Sequence, residues 1–167
     1  DVTAIGNEGD DGIYASAVSF NGGAALLALS TDALRPAAAV LGEEFLGAPF
    51  DLPGAPFGPI VASANAGDGF EADVNGNDFA AAAIFDIQAN GNWFDGVNMN
   101  VISPSGLSLA AVLSSDLLYD VIPGVFGADP VPNAGLGPVL ANANGGNGIN
   151  LTLYGDDGAY SLLAGIW

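Results

Sequence analysis

The chain reads as mainly β: one domain, 1–167, folded as a β-sandwich or barrel-like body from two tandem, pseudo-symmetric repeats. Each repeat holds about five strands and one short helix, and the alternative is an α+β fold with segregated helices. Three observations predict this. The stretch GPIVASANAGDGF (58–70) returns as GPVLANANGGNGI (137–149), with Gly, Pro, Ala, Asn and Gly at matching places. The match grows outward in colinear order, DVTAIGN (1–7) against DIQANGN (86–92) and AALLALSTDAL (24–34) against LSLAAVLSSDLL (107–118), which sets the repeats at 1–85 and 86–167. Between Gly, Asn and Asp clusters lie short alternating or wholly apolar runs, the pattern of strands, and runs apolar on both faces call for stacked layers.

Taken in order, 1–7 is a short strand and GDDG (9–12) its turn, since Asp and Gly tolerate the left-handed backbone of tight hairpins. IYASAVSF (13–20) is the returning strand. Asn21-Gly22-Gly23 turns into 24–30, apolar on both faces and therefore central. Asp32 then caps an Ala-rich helix over 33–47, which starts near Arg35 or Pro36 because proline is tolerated in a first turn. The Pro/Gly segment 48–59, with Phe50, Leu52 and Phe57, is too apolar for a solvated linker and is expected to lie across the core. Strands at 60–65, 70–75 and 79–90 complete the half, the first two joined as a hairpin through Asn65–Gly69, and the last joins the two halves. The second half repeats the order, with Pro123 shortening the helix near 118–127 and 149–167 closing as a hairpin.

Composition bounds the chemistry. One Lys or Arg stands against 19 Asp and Glu, for a formal net charge of −18, and neither His nor Cys occurs. So acidic a surface repels phosphate backbones and offers no basic cluster to an anionic membrane, so no nucleic acid is expected as partner. The chain is nevertheless 50% hydrophobic, with a mean hydropathy of +0.43, which is not the composition of a disordered acidic protein. No run reaches the roughly 18 apolar residues a transmembrane helix needs. Asp1 reads as the first residue of a processed, mature chain. A sequence whose only basic residue is Arg35 also gives trypsin-like proteases at most one site, so an extracellular or cell-surface location is expected.

Without His, Cys or Lys there is no Ser-His-Asp triad, no thiolate, no Schiff base and no imidazole metal site. Catalysis, if any, rests on carboxylates alone. The duplication matches Asp11 with Asp95 and Asp32 with Asp116. Helix caps and turns account for these four, and no aspartic-protease motif surrounds them. Cation binding is the stronger polar candidate. In Asp73-Val-Asn75-Gly-Asn77-Asp78, alternating oxygen ligands follow the first half of a calcium loop, although Asp78 stands where that loop has Gly and Ile84 where it has Glu. Asp73, Asn75, Asn77 and Asp78 are therefore the metal-ligand candidates. No cofactor is expected, Ca2+ being the one candidate. Asn150-Leu-Thr152 is a glycosylation sequon, and Phe45, Phe50, Phe57, Trp93, Phe94, Phe126 and Trp167 are core or pocket aromatics.

These features lead to an expectation of a non-catalytic structural protein that assembles with itself into an extracellular filament or coat. Apolar strands without edge lysines invite edge pairing, and divalent cations are expected to offset the charge. The alternatives are an extracellular β-rich module holding an apolar small molecule, such as a lipid or pigment, and a carboxylate-only hydrolase.

Overall fold

The computed structural model describes residues 3–28, 30, 59–114 and 139–164. Eleven strands follow one another: β1 (Thr3–Ile5), β2 (Ile13–Ser19), β3 (Gly23–Ala28), β4 (Ile60–Ser63), β5 (Phe70–Gly76), β6 (Phe79–Phe85), β7 (Ile87–Gln88), β8 (Val97–Ser103), β9 (Leu107–Leu113), β10 (Ile149–Gly155) and β11 (Gly158–Ala164). They form three sheets, β1-β4-β7, β10-β8-β5-β2 and β11-β9-β6-β3, here called A, B and C. All pairs within the sheets are parallel. The chain visits A, B and C in turn and then returns to A one strand higher, so it winds as a parallel β-solenoid of four rungs. Val139 and Leu140 carry the fourth rung through sheet A by a parallel bridge from Leu140 to Gln88.

The mainly-β class agrees with the sequence. The pairing within it differs from the hairpins expected there. Asn65–Gly69 joins β4 to β5 and the Asp156–Asp157 turn joins β10 to β11, yet the strands so joined lie in different sheets. Both segments are corners. A strand's partner comes instead from the next rung, 27 residues on between the second and third rungs. Parallel strands need a long crossover, and here the other two sheets supply it. The joining strand expected over 79–90 is likewise broken, because Asp86 takes a φ of 52° and turns the chain from sheet C into sheet A. The helices expected at 33–47 and near 118–127 lie outside the described residues.

One residue per rung fills each row of the interior. In sheet B the rows are Ile13–Phe70–Val97–Ile149, Ala15–Ala72–Met99–Leu151 and Ala17–Val74–Val101–Leu153. In sheet C they are Ala24–Ala80–Ser108–Ala159, Leu26–Ala82–Ala110–Ser161 and Ala28–Ile84–Val112–Leu163. The second- and third-rung members are buried. Ser108, the polar exception, donates its hydroxyl to the carbonyl of Tyr154. Each buried Val, Ile, Phe or Met contributes about 1.5–3 kcal/mol. With a single basic side chain in the sequence, this burial and the inter-rung hydrogen bonds carry the fold.

The corner between sheets A and B sets the rung spacing. An asparagine recurs there as Asn7, Asn65, Asn92 and Asn144. The backbone N–H of Asn7 donates to Asn65 Oδ1 (3.2 Å), that of Asn65 to Asn92 Oδ1 (3.0 Å) and that of Asn92 to Asn144 Oδ1 (2.9 Å). Each later amide reaches back to the preceding rung, Asn65 Nδ2 to the Ala4 carbonyl, Asn92 Nδ2 to Ala62 and Asn144 Nδ2 to Ala89. The residue before each asparagine is left-handed: Gly6 (φ 71°), Ala64 (58°), Gly91 (70°) and Ala143 (57°). Alanine adopts that backbone only under strain.

Two predictions follow the ladder. Ala64→Gly is expected to raise stability by about 1 kcal/mol, because it removes the Cβ from a left-handed site, while Gly91→Ala costs a similar amount. Asn92→Ala takes the acceptor from the Asn65 N–H and removes the side-chain bonds to the Asn65 amide, the Ala62 carbonyl and Asn144 Oδ1, and is expected to cost about 3 kcal/mol. Urea denaturation midpoints measure all three.

Candidate functional site

Three residues beyond each asparagine (four in the first rung) the same corner carries a second column, Asp11, Asp68, Asp95 and Asn147. It runs in the opposite sense to the first. The N–H of Asp68 donates to Asp11 Oδ1 (2.7 Å), that of Asp95 to Asp68 Oδ1 (2.7 Å) and that of Asn147 to Asp95 Oδ1 (2.6 Å). A glycine follows each member because the rungs touch there. A Cβ on Gly69 would stand 2.5 Å from the Gly96 carbonyl oxygen and 2.6 Å from Asn92 Nδ2, and one on Gly96 would stand 2.5 Å from both Asn144 Nδ2 and the Gly148 oxygen.

Beside this column, the outer face of sheet B gathers acid. Strand alternation points Glu71 and Asp73 outward from β5 while Phe70, Ala72 and Val74 point in. Carboxylate oxygens of Asp11, Asp68 and Glu71 lie within 4.8 Å of one another, and Asp10, Asp11, Tyr14 and Glu71 line a cleft at this corner. Asp68 is already engaged, Oδ1 by the Asp95 N–H and Oδ2 by Asn98 Nδ2 at 2.8 Å. That leaves Glu71 facing Asp11. Hydrogen bonding to Asp11, then partial burial, then repulsion from Asp11, Asp73 and Asp68 push the Glu71 carboxyl up to about 7. Glu71 therefore keeps its proton through mildly acidic pH and gives it up around neutrality, as a carboxyl crowded by other carboxylates does. Once that proton leaves, the same oxygens suit a hard divalent cation.

The four predicted metal ligands lie on β5 and just after it. Asp73 and Asn75 lie on the outer face of β5, and Asn77 and Asp78 in the bend that follows. Asp73 accepts from Tyr14 Oη (3.1 Å) and Asn100 Nδ2 (3.3 Å), and its bond to the phenol raises the Tyr14 pKa. Asn75 is exposed, and Asn77 Nδ2 donates to Asp78 Oδ1 at 2.5 Å. Asp11 and Asp95 sit in one column with Asp68 between them. Asp32 and Asp116 lie outside the described residues, as do Phe45, Phe50, Phe57, Phe126 and Trp167. Trp93 and Phe94 are exposed at the corner. Asn150 Nδ2 donates to Asn98 Oδ1 on the sheet B surface. Glu71 and Asp68 were not foreseen as a pair with Asp11. Their signal is the recurrence of Asn-x-x-Asp-Gly at 65–69 and 92–96, which makes column neighbours of residues far apart in sequence.

The outer face of sheet C is the opposite in character. Ala25, Leu27, Ala81, Ala83, Leu109, Ala111, Tyr160 and Leu162 project from it, Leu27, Tyr160 and Leu162 being strongly exposed. Among the described residues no helix is long and apolar enough to cross a membrane.

No protein-family model matches the chain, and no curated protein or solved structure is significantly similar to it. The residues themselves must therefore carry the functional reading.

The raised Glu71 pKa has a definite sign. A carboxyl that holds its proton more tightly when folded stabilises the fold most below its ordinary value of 4.5, and that contribution is lost as pH rises through about 7. Glu71→Gln is expected to flatten the pH dependence of the urea midpoint between pH 5 and 8.5. Calcium added at pH 8 should stabilise the native protein more than this variant; equal responses would remove the cation role.

Proposed function

We propose that the chain is an extracellular or cell-surface structural protein that assembles with itself into a filament or coat, with no catalysis. The observation that carries this reading is the state of the two ends of the solenoid. Inward-facing side chains of the second and third rungs are sealed, whereas Ile13, Ala15, Ala17, Leu26 and Ala28 of the first rung and Ile149, Leu151 and Leu153 of the fourth are only partly buried. Leu163 shares an inward row with fully buried Ile84 and Val112, yet is 48% exposed. Among the described residues the core opens at both ends, and a further rung would complete it. The end strands β2, β3, β10 and β11 carry neither Lys nor Pro, the residues that commonly guard sheet edges.

The charge sets the conditions. At −18 per copy, subunits repel one another over about a Debye length, roughly 8 Å at physiological salt. Assembly is therefore expected to need salt or divalent cations. The extracellular assignment rests on the near absence of basic residues, which leaves trypsin-like proteases at most one site.

A second reading, a module for an apolar small molecule, draws support from the outer face of sheet C. The described interior is filled by its own rows, so such a ligand would lie against that face. Mass spectrometry of protein purified under native conditions separates the two.

Sedimentation velocity and negative-stain microscopy test the main reading. With calcium or high salt, the chain is expected to form particles far larger than a monomer, and EDTA at low salt to return it to monomer. A strictly monomeric chain at high concentration in calcium overturns the proposal.

A further inference from the structure

We infer that copies of this chain join end to end in one polarity, the fourth rung of one copy stacking in register beneath the first rung of the next, as a second-copy interface. This rests on the self-assembly reading above and specifies its geometry. The two corner columns carry the argument because each has a direction. In the asparagine column, every N–H donates to the side-chain oxygen of the rung after it. In the aspartate column, every side-chain oxygen accepts from the rung after it.

At the fourth rung both columns stop with a group of defined kind outstanding. The Asn144 N–H meets no acceptor, and Asn147 Oδ1 no donor, among the described residues. At the first rung the outstanding groups are their complements, Asn7 Oδ1 and the Asp11 N–H. Setting the first rung of a second copy on the fourth rung lets Asn144 N–H donate to Asn7 Oδ1 and Asp11 N–H donate to Asn147 Oδ1. The same two bonds already join each neighbouring pair of rungs within the chain. Two like ends can meet only with one copy turned over, which sets the aligned strands antiparallel and takes both columns out of the register they keep within the chain.

Charge selects the same arrangement. The first corner, Asn7-Glu8-Gly9-Asp10-Asp11, is the most acidic of the four, and the fourth, Asn144-Gly145-Gly146-Asn147, carries no charge. The outward position aligned with Glu71 is Asn98 in the third rung and Asn150 in the fourth. A junction of first rung on fourth therefore sets acid against neutral amides, while first rung on first sets acid against acid. The partly buried rows also continue across it, Ile149 to Ile13, Leu151 to Ala15 and Leu153 to Ala17.

The cysteine-free chain makes a clean test. Continuing the register places Thr152 of one copy beside Ser16 of the next, both outward-facing, at the inter-strand spacing of about 4.8 Å, within the span of a disulfide. Inside one chain these residues stand three rungs apart, about 14 Å, and cannot bridge. A Ser16→Cys, Thr152→Cys double variant, assembled in calcium and mildly oxidised, is expected to give a ladder of disulfide-linked dimers, trimers and larger species on a non-reducing gel. Each single variant should remain uncrosslinked. Ala25→Cys with Tyr160→Cys, the aligned pair on sheet C, serves as a second variant and should behave alike. Assemblies that form without crosslinks at either pair overturn the inference and leave the self-assembly reading standing, since they join by another face. Dimers from Ser16→Cys alone overturn the polarity. Failure of the native chain to assemble at all overturns the self-assembly reading and this one with it.

Discussion

Everything in this molecule depends on adjacent rungs lying at one fixed spacing and one fixed register. Parallel strand pairing supplies the spacing but specifies register only weakly along rows of Ala and Val, where a slide exchanges one small apolar residue for another. The corner between sheets A and B removes that freedom. An asparagine side chain there holds the preceding rung, and an aspartate three residues on accepts from the next. Displacement of either rung breaks bonds of both kinds. The glycine after the aspartate is the steric half of the same device, since the carbonyl and amide that lock the register occupy the place its Cβ would take.

Once register is fixed, alternation does the rest. Inward positions of sheets B and C stack into largely apolar rows, and two outward rows of sheet B, Tyr14–Glu71–Asn98–Asn150 and Ser16–Asp73–Asn100–Thr152, stack polar on polar. Stacking also turns a modest acidic content into local acid clusters. Carboxylates at matched places in successive rungs come within a few ångströms whether or not a ligand is present. Glu71 shows the consequence, a carboxyl forced to keep its proton through mildly acidic pH by Asp11 one rung away. The same geometry explains why the column ends in Asn147, which accepts and donates without adding another negative charge.

Much of this was legible in the sequence. The short alternating runs and the Gly-Asn-Asp punctuation mark strands and corners at nearly the right places, and GPIVASANAGDGF was noticed because a ladder corner lies inside it. The sheet in which each strand pairs was not legible. Asn-x-x-Asp-Gly between two strands is also good hairpin chemistry, and no local feature separates a turn within a sheet from a corner between sheets. The distinguishing signal is the recurrence of Asn65, Asp68 and Gly69 as Asn92, Asp95 and Gly96. Long segments between Ser30 and Pro59 and between Ser114 and Val139 interrupt that period, so matching whole halves is easier to see than matching single rungs. Glu71 was missed for a related reason: a pair made by stacking leaves no spacing motif in a chain read linearly.

A stack of this kind has no intrinsic reason to stop at four rungs. Each added rung repeats the same hydrogen bonds and rows, so an end is stable only if its core is covered and its edge bonds are satisfied or solvated. Neither end here meets the first condition among the described residues, and the groups left at one end are the complements of those left at the other. The sequence change from Asp11, Asp68 and Asp95 to Asn147 matters for this reason. It keeps the hydrogen-bonding pattern of the column while removing the charge at the place where, in the proposed stacking, Asp11 of the next copy would lie. Within the stack, neighbouring acids are tolerated because the backbone N–H groups between them accept part of the cost. At the proposed junction between copies that cost would recur with every addition, and the neutral amide of Asn147 would lower it.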